Sequence, residues 1–552
     1  MRVSDSPIIV WFQLDLRLSD HPALDEAVRR GGPVIPVFVW SPEDESPWAP
    51  GAASRWWLHQ SLASLERDLE AAGSRLVLRR GAAAGAALLQ LARECGAGAV
   101  FWHRRYEPGA ARRDAQIEAA LGKCGIEARQ FSSSALLFEP DALQTASGSP
   151  YKVFTPFSRA CLRLADSIAD PLSPPARLAP PSEWPKSVAL ADLELEPKIN
   201  WAEGLRGAWT PGEAGAARRL ERFLEEAMEN YADGRDQPGI EGVSRLSPYL
   251  HFGEISPRQV WRAVNEARFS LARAGKSSRE RSSGVRAGAA SGEFAKGADA
   301  FLRQLLWREF AYHLLYHFPH TPAEPLRPEF ARFPWREITK KEKDRRDIKD
   351  RKDATNRRGF ISADGDGGAI DTDSAAQFLR AWQRGATGFP IVDAGMRQLW
   401  TTGWMHNRVR MIVASFLVKD LLISWQTGAR WFWDTLVDAD LANNTFGWQW
   451  TAGCGADAAP FFRVFNPAAQ GRKFDPDGAY VRAWVPELSR LPSRCIHAPW
   501  EASPAELRAA GVRLGENHGD EQGNNYPLPI VDHASARLRA LDALARMKEH
   551  NR

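Results

Sequence analysis

The first 135 residues alternate short apolar runs with amphipathic stretches. Residues 8–12, 34–40, 76–79 and 99–102 have strand length and few polar positions, whereas 55–71 and 83–95 carry apolar residues at helical spacing. Near-continuous apolar strands alternating with helices predict a parallel sheet covered on both faces. No GxGxxG and no GxxxxGK[ST] follows any of these runs. An α/β domain of Rossmann-like architecture is therefore expected, without the usual phosphate turn of a dinucleotide or nucleotide binder. The run GAAAGA at 81–86 reads as helix or loop filler.

Between 132 and 205 the periodicity fades and proline and serine accumulate, as in PLSPPARLAPPSEWP. This predicts a linker crossing the surface. From about 211 the apolar spacing is helical to the end of the chain. Ser256-Pro257-Arg258-Gln259 has the form of a capping box with proline at the first helical position, and Ser247-Pro248 is a weaker start of the same kind. The expected organisation is an α/β domain over 1–135, a linker over 136–205 and an all-α domain over 206–552. A chain of 552 residues fits more than one domain at about 150 residues each. Residues 271–298, rich in Ser, Gly, Ala and Arg, and 339–374, opening with TKKEKDRRDIKDRKD, read as mobile insertions poor in core formers. A basic arm touching DNA is the alternative for them.

Composition narrows the classes. With 44% hydrophobic and 25% charged residues, the chain is neither disordered nor collagenous nor a disulfide framework. A net charge of +4 carries no global nucleic-acid signature, so any basic groove is local. The cysteines at 95, 124, 161, 454 and 495 form no CxxC pair, which excludes a clustered zinc or iron–sulfur site and suits a cytoplasmic protein with reduced thiols. The start MRVSDSPIIVWFQLDLR lacks the form of a signal peptide, and Lys419 and Asp420 interrupt the longest apolar stretch, so no membrane span is expected. Tryptophan is abundant, 22 against 8 tyrosines. A Trp-rich core is the simpler explanation, and stacking on a planar ligand or on bases the sharper one.

Several constellations could carry chemistry. Ser244-Arg245-Leu246-Ser247 sets two hydroxyls and a guanidinium before the helix start at Pro248. That set suits a phosphate or pyrophosphate, with plain N-capping as the simpler alternative. GWMHNRVRM, at 403–411, reads as helical, with Trp404, Asn407 and Met411 on one face and Arg408 beside them. Such a face is wrong for a greasy core and right for a planar, polar ligand. Arg410 lies on another side, available to a buried carboxylate; Asp438 and Asp440 are the candidates, and a structural ion pair is the competing reading. Asn444, followed by Trp448-Gln449-Trp450, suggests a heterocycle with donors and acceptors. His313 and His317 at i, i+4 could hold a metal, but no third ligand or HExxH accompanies them, so no metal is expected.

Three stretches, WREFAYHLLYHFP, TGFPIVDAGMRQLWTTGWMHNRVRMIVASFLVKDLLISW and DADLANNTFGWQWTAGCGADAAPFFRVFNP, closely resemble the DNA photolyase/cryptochrome family. LDLRLSDHPAL and GAASRWW fit the family's N-terminal domain, and TFGWQWTAGCGADAAP is most similar to the bacterial class III photolyases. The resemblance implies an α/β antenna domain and an all-α C-terminal domain holding FAD. It implies light-driven repair of cyclobutane pyrimidine dimers in UV-damaged DNA, in which reduced flavin lends an electron to a flipped-out dimer.

Residue by residue, the resemblance puts Tyr231, Ser244, Arg245, Leu246 and Ser247 on the adenosine and phosphates of FAD, with Phe301, Gln304, Arg308 and Asn407 also among the cofactor contacts. Arg410 and Asp438 match the pair beside the isoalloxazine, Asp440 a nearby contact, and Asn444 the residue facing flavin N5. Arg235, Trp307, Asn407, Arg408, Met411 and Trp450 match lesion or phosphate contacts. Trp448, Trp425 and Trp335 match the electron-transfer chain that reduces photoexcited oxidised flavin. The catalytic set so implied is Gln304, Asn407, Met411 and Asn444. Relatives acting on 6-4 photoproducts carry histidines where this chain has Asn407 and Met411; neither residue can supply a proton, which favours the cyclobutane dimer.

Departures from the family pattern are Gln304 for a frequent Glu, Val243 for Thr and Phe301 for Trp. The Asn-Glu pair that some relatives use for methenyltetrahydrofolate is missing around 106–110, although the class III form still implies that antenna. A monomer is expected. A blue-light receptor without repair is the alternative reading. Asn444, where plant cryptochromes tend to carry Asp, and the short stretch after YPLPIVDHASARLRALDALARM count against it; Gln304 counts for it.

Overall fold

The computed structural model describes residues 6–132, 135–279, 284–336, 372–458, 462–515 and 525–549. The N-terminal unit is a five-stranded, all-parallel sheet of β1 (Ile8–Phe12), β2 (Val34–Trp40), β3 (Val77–Arg80), β4 (Ala99–His103) and β5 (Glu127–Phe131) in the order β3-β2-β1-β4-β5. Every residue of β1, β2 and β4 is buried, because helices cover both faces. Ile8, Val10 and Phe12 join one core and Ile9 and Trp11 the other, as the two-residue period of a strand requires. The apolar runs predicted four strands to within a residue at their ends. The fifth, EARQF, is an edge strand paired only with β4 and only partly buried, so it carries no apolar run to find.

The rest of the described chain is helical apart from a two-stranded parallel pair, Arg513–Leu514 with Asn525–Tyr526. The Ser256 capping box is present: Ser256 N donates to Gln259 Oε1 (2.8 Å) and Gln259 N to Ser256 Oγ (3.0 Å). Two expectations are corrected. The proline-rich stretch contains the helix Phe154–Arg163, whose Phe154 and Phe157 pack into a core with Leu306, Phe310 and Leu314. Residues 271–298 are not a loop where described: the helices Pro257–Arg279 and Gly284–His317 run into them, and Phe294 and Ala298 are buried. The small residues serve close approach, since a Cβ at Gly297 would lie 1.9 Å from the carbonyl oxygen of Met228. The charge run of 339–374 lies outside the described residues up to 371.

The α/β unit is bound to the helical one through buried polar groups. Arg17, fully buried, donates to the carbonyls of Gly253 (2.7 Å), Asp20 (2.7 Å) and Ser19 (2.9 Å). The backbones approach so closely that a Cβ at Gly253 would stand 2.2 Å from the carbonyl oxygen of Leu14. Glu254 accepts hydrogen bonds from Trp57 Nε1 (3.2 Å), Ser61 Oγ (2.5 Å) and Gly212 N (2.6 Å), yet burial pushes its carboxyl up to about 8. The fold thus keeps a proton that the unfolded chain, with a pKa near 4.5, has already released. Stability contributed by this group is highest below that lower value and falls as pH rises toward 8. Glu254→Gln is expected to flatten this fall, measured as the difference in urea-unfolding free energy between the two ends of the window.

Candidate active site

The helical unit gathers a polar cavity from the turn 244–247 and the helices Gly284–His317, Asn407–Ser415 and Leu441–Ala452. The helix predicted over 403–411 starts at Asn407. Gly403, at φ +66°, ends the preceding helix, and His406 caps the new one by accepting from Arg408 N at 3.2 Å. Trp404 therefore stands before the helix, not on its face. Its buried indole donates to Ser247 Oγ (3.3 Å) and lies beneath two guanidiniums, Arg245 at 5.0 Å and Arg410 at 5.9 Å from the ring centre.

Arg410 chooses Asp438. Its Nη2 donates to both carboxylate oxygens (3.0 and 2.8 Å), and its Nε to the Met405 carbonyl (2.8 Å). Asp440 is occupied otherwise: it caps the helix Leu441–Ala452 by accepting from Asn443 N (2.8 Å), and it accepts from the Tyr312 hydroxyl. Burial pushes the Asp440 carboxyl up, but His251, Arg308 and the tyrosine hydroxyl outweigh it and hold the group well below the usual carboxylate range. Asn444 donates its amide to the Ala429 carbonyl (3.0 Å), which leaves its own side-chain oxygen for a donor in the cavity.

In the turn, Arg245 adopts φ +52° and pairs with Glu241 at 2.6 Å, while its buried Nε has no partner. Ser244 Oγ accepts from Leu246 N (3.4 Å), and Leu246 is buried. Tyr231 and Phe301 meet edge to face at 5.4 Å, and burial pushes the Tyr231 hydroxyl up to about 12. Arg308 donates to the carbonyls of Ala135 and Leu250 and lies over the Tyr312 ring.

Around the mouth, Arg235 Nη2 donates to Gln304 Oε1 (3.1 Å), and Arg408 pairs with Asp236 (2.7 Å) and lies over the Phe474 ring at 4.4 Å. Asn407 is exposed; Met411 is half-buried, with Arg408 Nη1 3.9 Å from its sulfur. One face of Trp307 stacks on Phe154 at 3.5 Å and 6°, and Phe446 lies 5.6 Å away. Trp450 lines a small cavity with Lys419 and Phe462.

Trp448 and Trp425 are buried and Trp335 is half-buried. Trp448 meets Phe432 at 5.0 Å and Trp382 at 6.3 Å, and Trp335 meets Phe333 at 4.2 Å. Among the described residues no ring pair joins the three tryptophans to one another directly. Sequence reasoning missed Trp382, the acid Asp236 and the cap His406. An acid next to Arg235 and a histidine just before the helix were the only signals.

His313 and His317 are accounted for structurally: His313 Nε2 accepts from Tyr151 N (3.0 Å), and His317 Nε2 faces the Pro140 carbonyl (3.2 Å). Asp15, His21 and His103 bring ligand atoms within 4.8 Å of one another. There, His21 Nδ1 accepts from Leu24 N, so its Nε2 carries the proton toward Asp15; His103 Nδ1 meets the same carboxylate at 2.6 Å. This is a closed hydrogen-bond set around a buried carboxylate. Among the described residues no helix is long and apolar enough to cross a membrane.

A parallel α/β unit joined to a helical unit with an arginine–aspartate pair in a polar cavity defines a flavin-binding, two-domain architecture. The model of the FAD binding domain of DNA photolyase matches residues 301–546, and that of DNA photolyase matches 8–178. A deoxyribodipyrimidine photo-lyase of Agrobacterium fabrum is 46% identical over 100% of both chains, and Cryptochrome-2 of Arabidopsis thaliana is 37% identical over 99% of this chain and 80% of its own. Among solved structures, a bacterial class III photolyase from Agrobacterium tumefaciens superposes with a TM-score of 0.81 at 45% identity, covering 99% of this chain and 98% of that one. The chain belongs to the DNA photolyase/cryptochrome family, and its cofactor is FAD.

Proposed function

We propose that this protein is a light-driven deoxyribodipyrimidine photo-lyase that splits cyclobutane pyrimidine dimers in UV-damaged DNA. The observation that carries the reading is full-length similarity to a photo-lyase at 46% identity, together with the Arg410–Asp438 pair and Asn444 in one cavity. When bound, reduced FAD supplies a photoexcited electron that opens the dimer and is then returned. The cavity residues fit that group. The unpartnered buried Nε of Arg245, beside Ser244 and Ser247, suits the diphosphate. Asn444, its amide committed to Ala429, presents an oxygen that accepts from a protonated flavin N5 and favours the reduced form without adding charge. Arg308 and Asp440 complete the flavin contacts, with Tyr231 and Phe301 at the adenosine.

Trp307 and Trp450 provide the stacking faces for an extruded dimer, with Gln304, Asn407 and Met411 around it and Arg235 and Arg408 toward the backbone. Trp448, Trp425 and Trp335 serve the reduction of oxidised flavin. Dimer loss in an oligonucleotide, dependent on light and on the reduced protein, tests the reading. Gln304→Glu is expected to raise the repair quantum yield several-fold, because a carboxylate strengthens both the Arg235 contact and the hold on the dimer. A quantum-yield measurement showing no gain places that role elsewhere.

Methenyltetrahydrofolate is the proposed antenna, on the class III similarity. A cavity at the carboxyl ends of β1 and β2 is lined by Trp11, Gln13, Arg105, Arg113, His251 and Trp433. Its arginines are already held by Glu45, Glu107 and Asp114, so that cavity itself carries no feature selecting a folate. The protein is further proposed to act as a cytoplasmic monomer without a metal.

A further inference from the structure

The two arginines placed at the cavity mouth share one carboxylate. Arg408 Nη2 meets Asp236 Oδ2 at 2.7 Å, and Arg235 Nε stands 3.9 Å from Asp236 Oδ1. The Asp236 side chain is 36% exposed, more than Arg408 at 19% or Arg235 at 25%, so the acid faces outward with its partners. Arg408 is held on further sides by the Phe474 ring and the Met411 sulfur, and Arg235 by Gln304. An acid in a surface meant for phosphates needs a reason. Each phosphate neutralised by a free arginine strengthens binding to any DNA, damaged or not.

We propose that Asp236 sets the discrimination between damaged and undamaged DNA by occupying the arginines that a backbone phosphate would otherwise take. The proposal rests on the repair reading above. Undamaged DNA offers a phosphate only: it exchanges one ion pair for another and faces the displaced carboxylate. A dimer-containing strand offers in addition a base pair extruded into the cavity, whose contacts with Gln304, Met411 and Trp450 offset that exchange. Asp236 thus weakens non-specific binding more than lesion binding.

The test uses the full-length, FAD-loaded protein in the dark, as wild type, Asp236→Asn and Asp236→Glu. Affinities are measured for a thymine-dimer duplex and for the same duplex undamaged, over a salt series. Flavin content and unfolding midpoint control for folding. Asp236→Asn is expected to bind undamaged DNA about three- to tenfold tighter, with a log–log salt slope steeper by about 0.9 for the one arginine released. Its affinity for the dimer duplex changes less than about twofold by the same argument. Asp236→Glu restores the wild-type ratio. Unchanged undamaged binding, equal tightening of both duplexes, or a loss confined to the dimer duplex overturns the proposal; the last would make Asp236 a positioning residue for Arg408. A wild type with no preference for the dimer overturns the repair reading and the proposal with it.

Discussion

Replacing Arg410 with leucine is expected to strip the flavin from the protein and to lower its stability by about 3–5 kcal/mol, the cost of leaving a buried charge without its partner. The Asp438 side chain is 4% exposed and receives both of its ion-pair contacts from one guanidinium nitrogen. Without it the carboxylate is buried and uncompensated, and the Met405 carbonyl loses the Nε donor. The damage spreads along the backbone, because Asp440 N bonds to the Asp438 carbonyl and Asn444 N to the Asp440 carbonyl. Arg410→Lys keeps the charge but not the fork, so it should retain part of the flavin. The flavin-to-protein absorbance ratio and a urea-unfolding curve read both effects. Full flavin content with an unchanged midpoint in Arg410→Leu would place the isoalloxazine elsewhere.

Trp448→Phe is expected to slow photoreduction of the oxidised protein by at least about tenfold, since phenylalanine is a far poorer electron donor and an order of magnitude in rate needs only about 1.4 kcal/mol of barrier. Repair by protein reduced chemically beforehand should be nearly unchanged. Trp448 lies four residues after Asn444 on one helix and so on the same side of it. Its buried indole fits only because Gly428 has no side chain: a Cβ there would come within 2.1 Å of Trp448 Cη2. Bleaching of the flavin under blue light with a reductant separates the two functions. Normal bleaching in Trp448→Phe would move the first donor to another ring.

What the sequence disclosed and what it hid follow from physical differences. Strands β1 and β2 are buried on both faces, so their apolar runs are unmistakable; β5 is an edge strand of polar residues and leaves no run. The helix Phe154–Arg163 lies inside proline- and serine-rich sequence whose composition masks its two buried phenylalanines. Residues 271–298 mislead because the small residues of a linker are also those that let two helices touch, as at Gly297. In the site, an arginine in search of a carboxylate was legible at Arg410. Choosing Asp438 over Asp440 needed the structure, since only there is Asp440 seen to be a helix cap held by Tyr312. Asp236 was invisible for another reason: its partner Arg408 lies 172 residues away, and an acid beside Arg235 reads as an ordinary solvated charge.

Repair itself tests the account most directly. Reduced, FAD-loaded protein is mixed with a thymine-dimer oligonucleotide, exposed to near-UV or blue light, and the recovery of base absorbance is followed against a dark control. The account predicts recovery in the light alone, with many dimers split per protein molecule. Flavin that is bound and photoreducible but gives no recovery would contradict it and leave the light-receptor reading in its place.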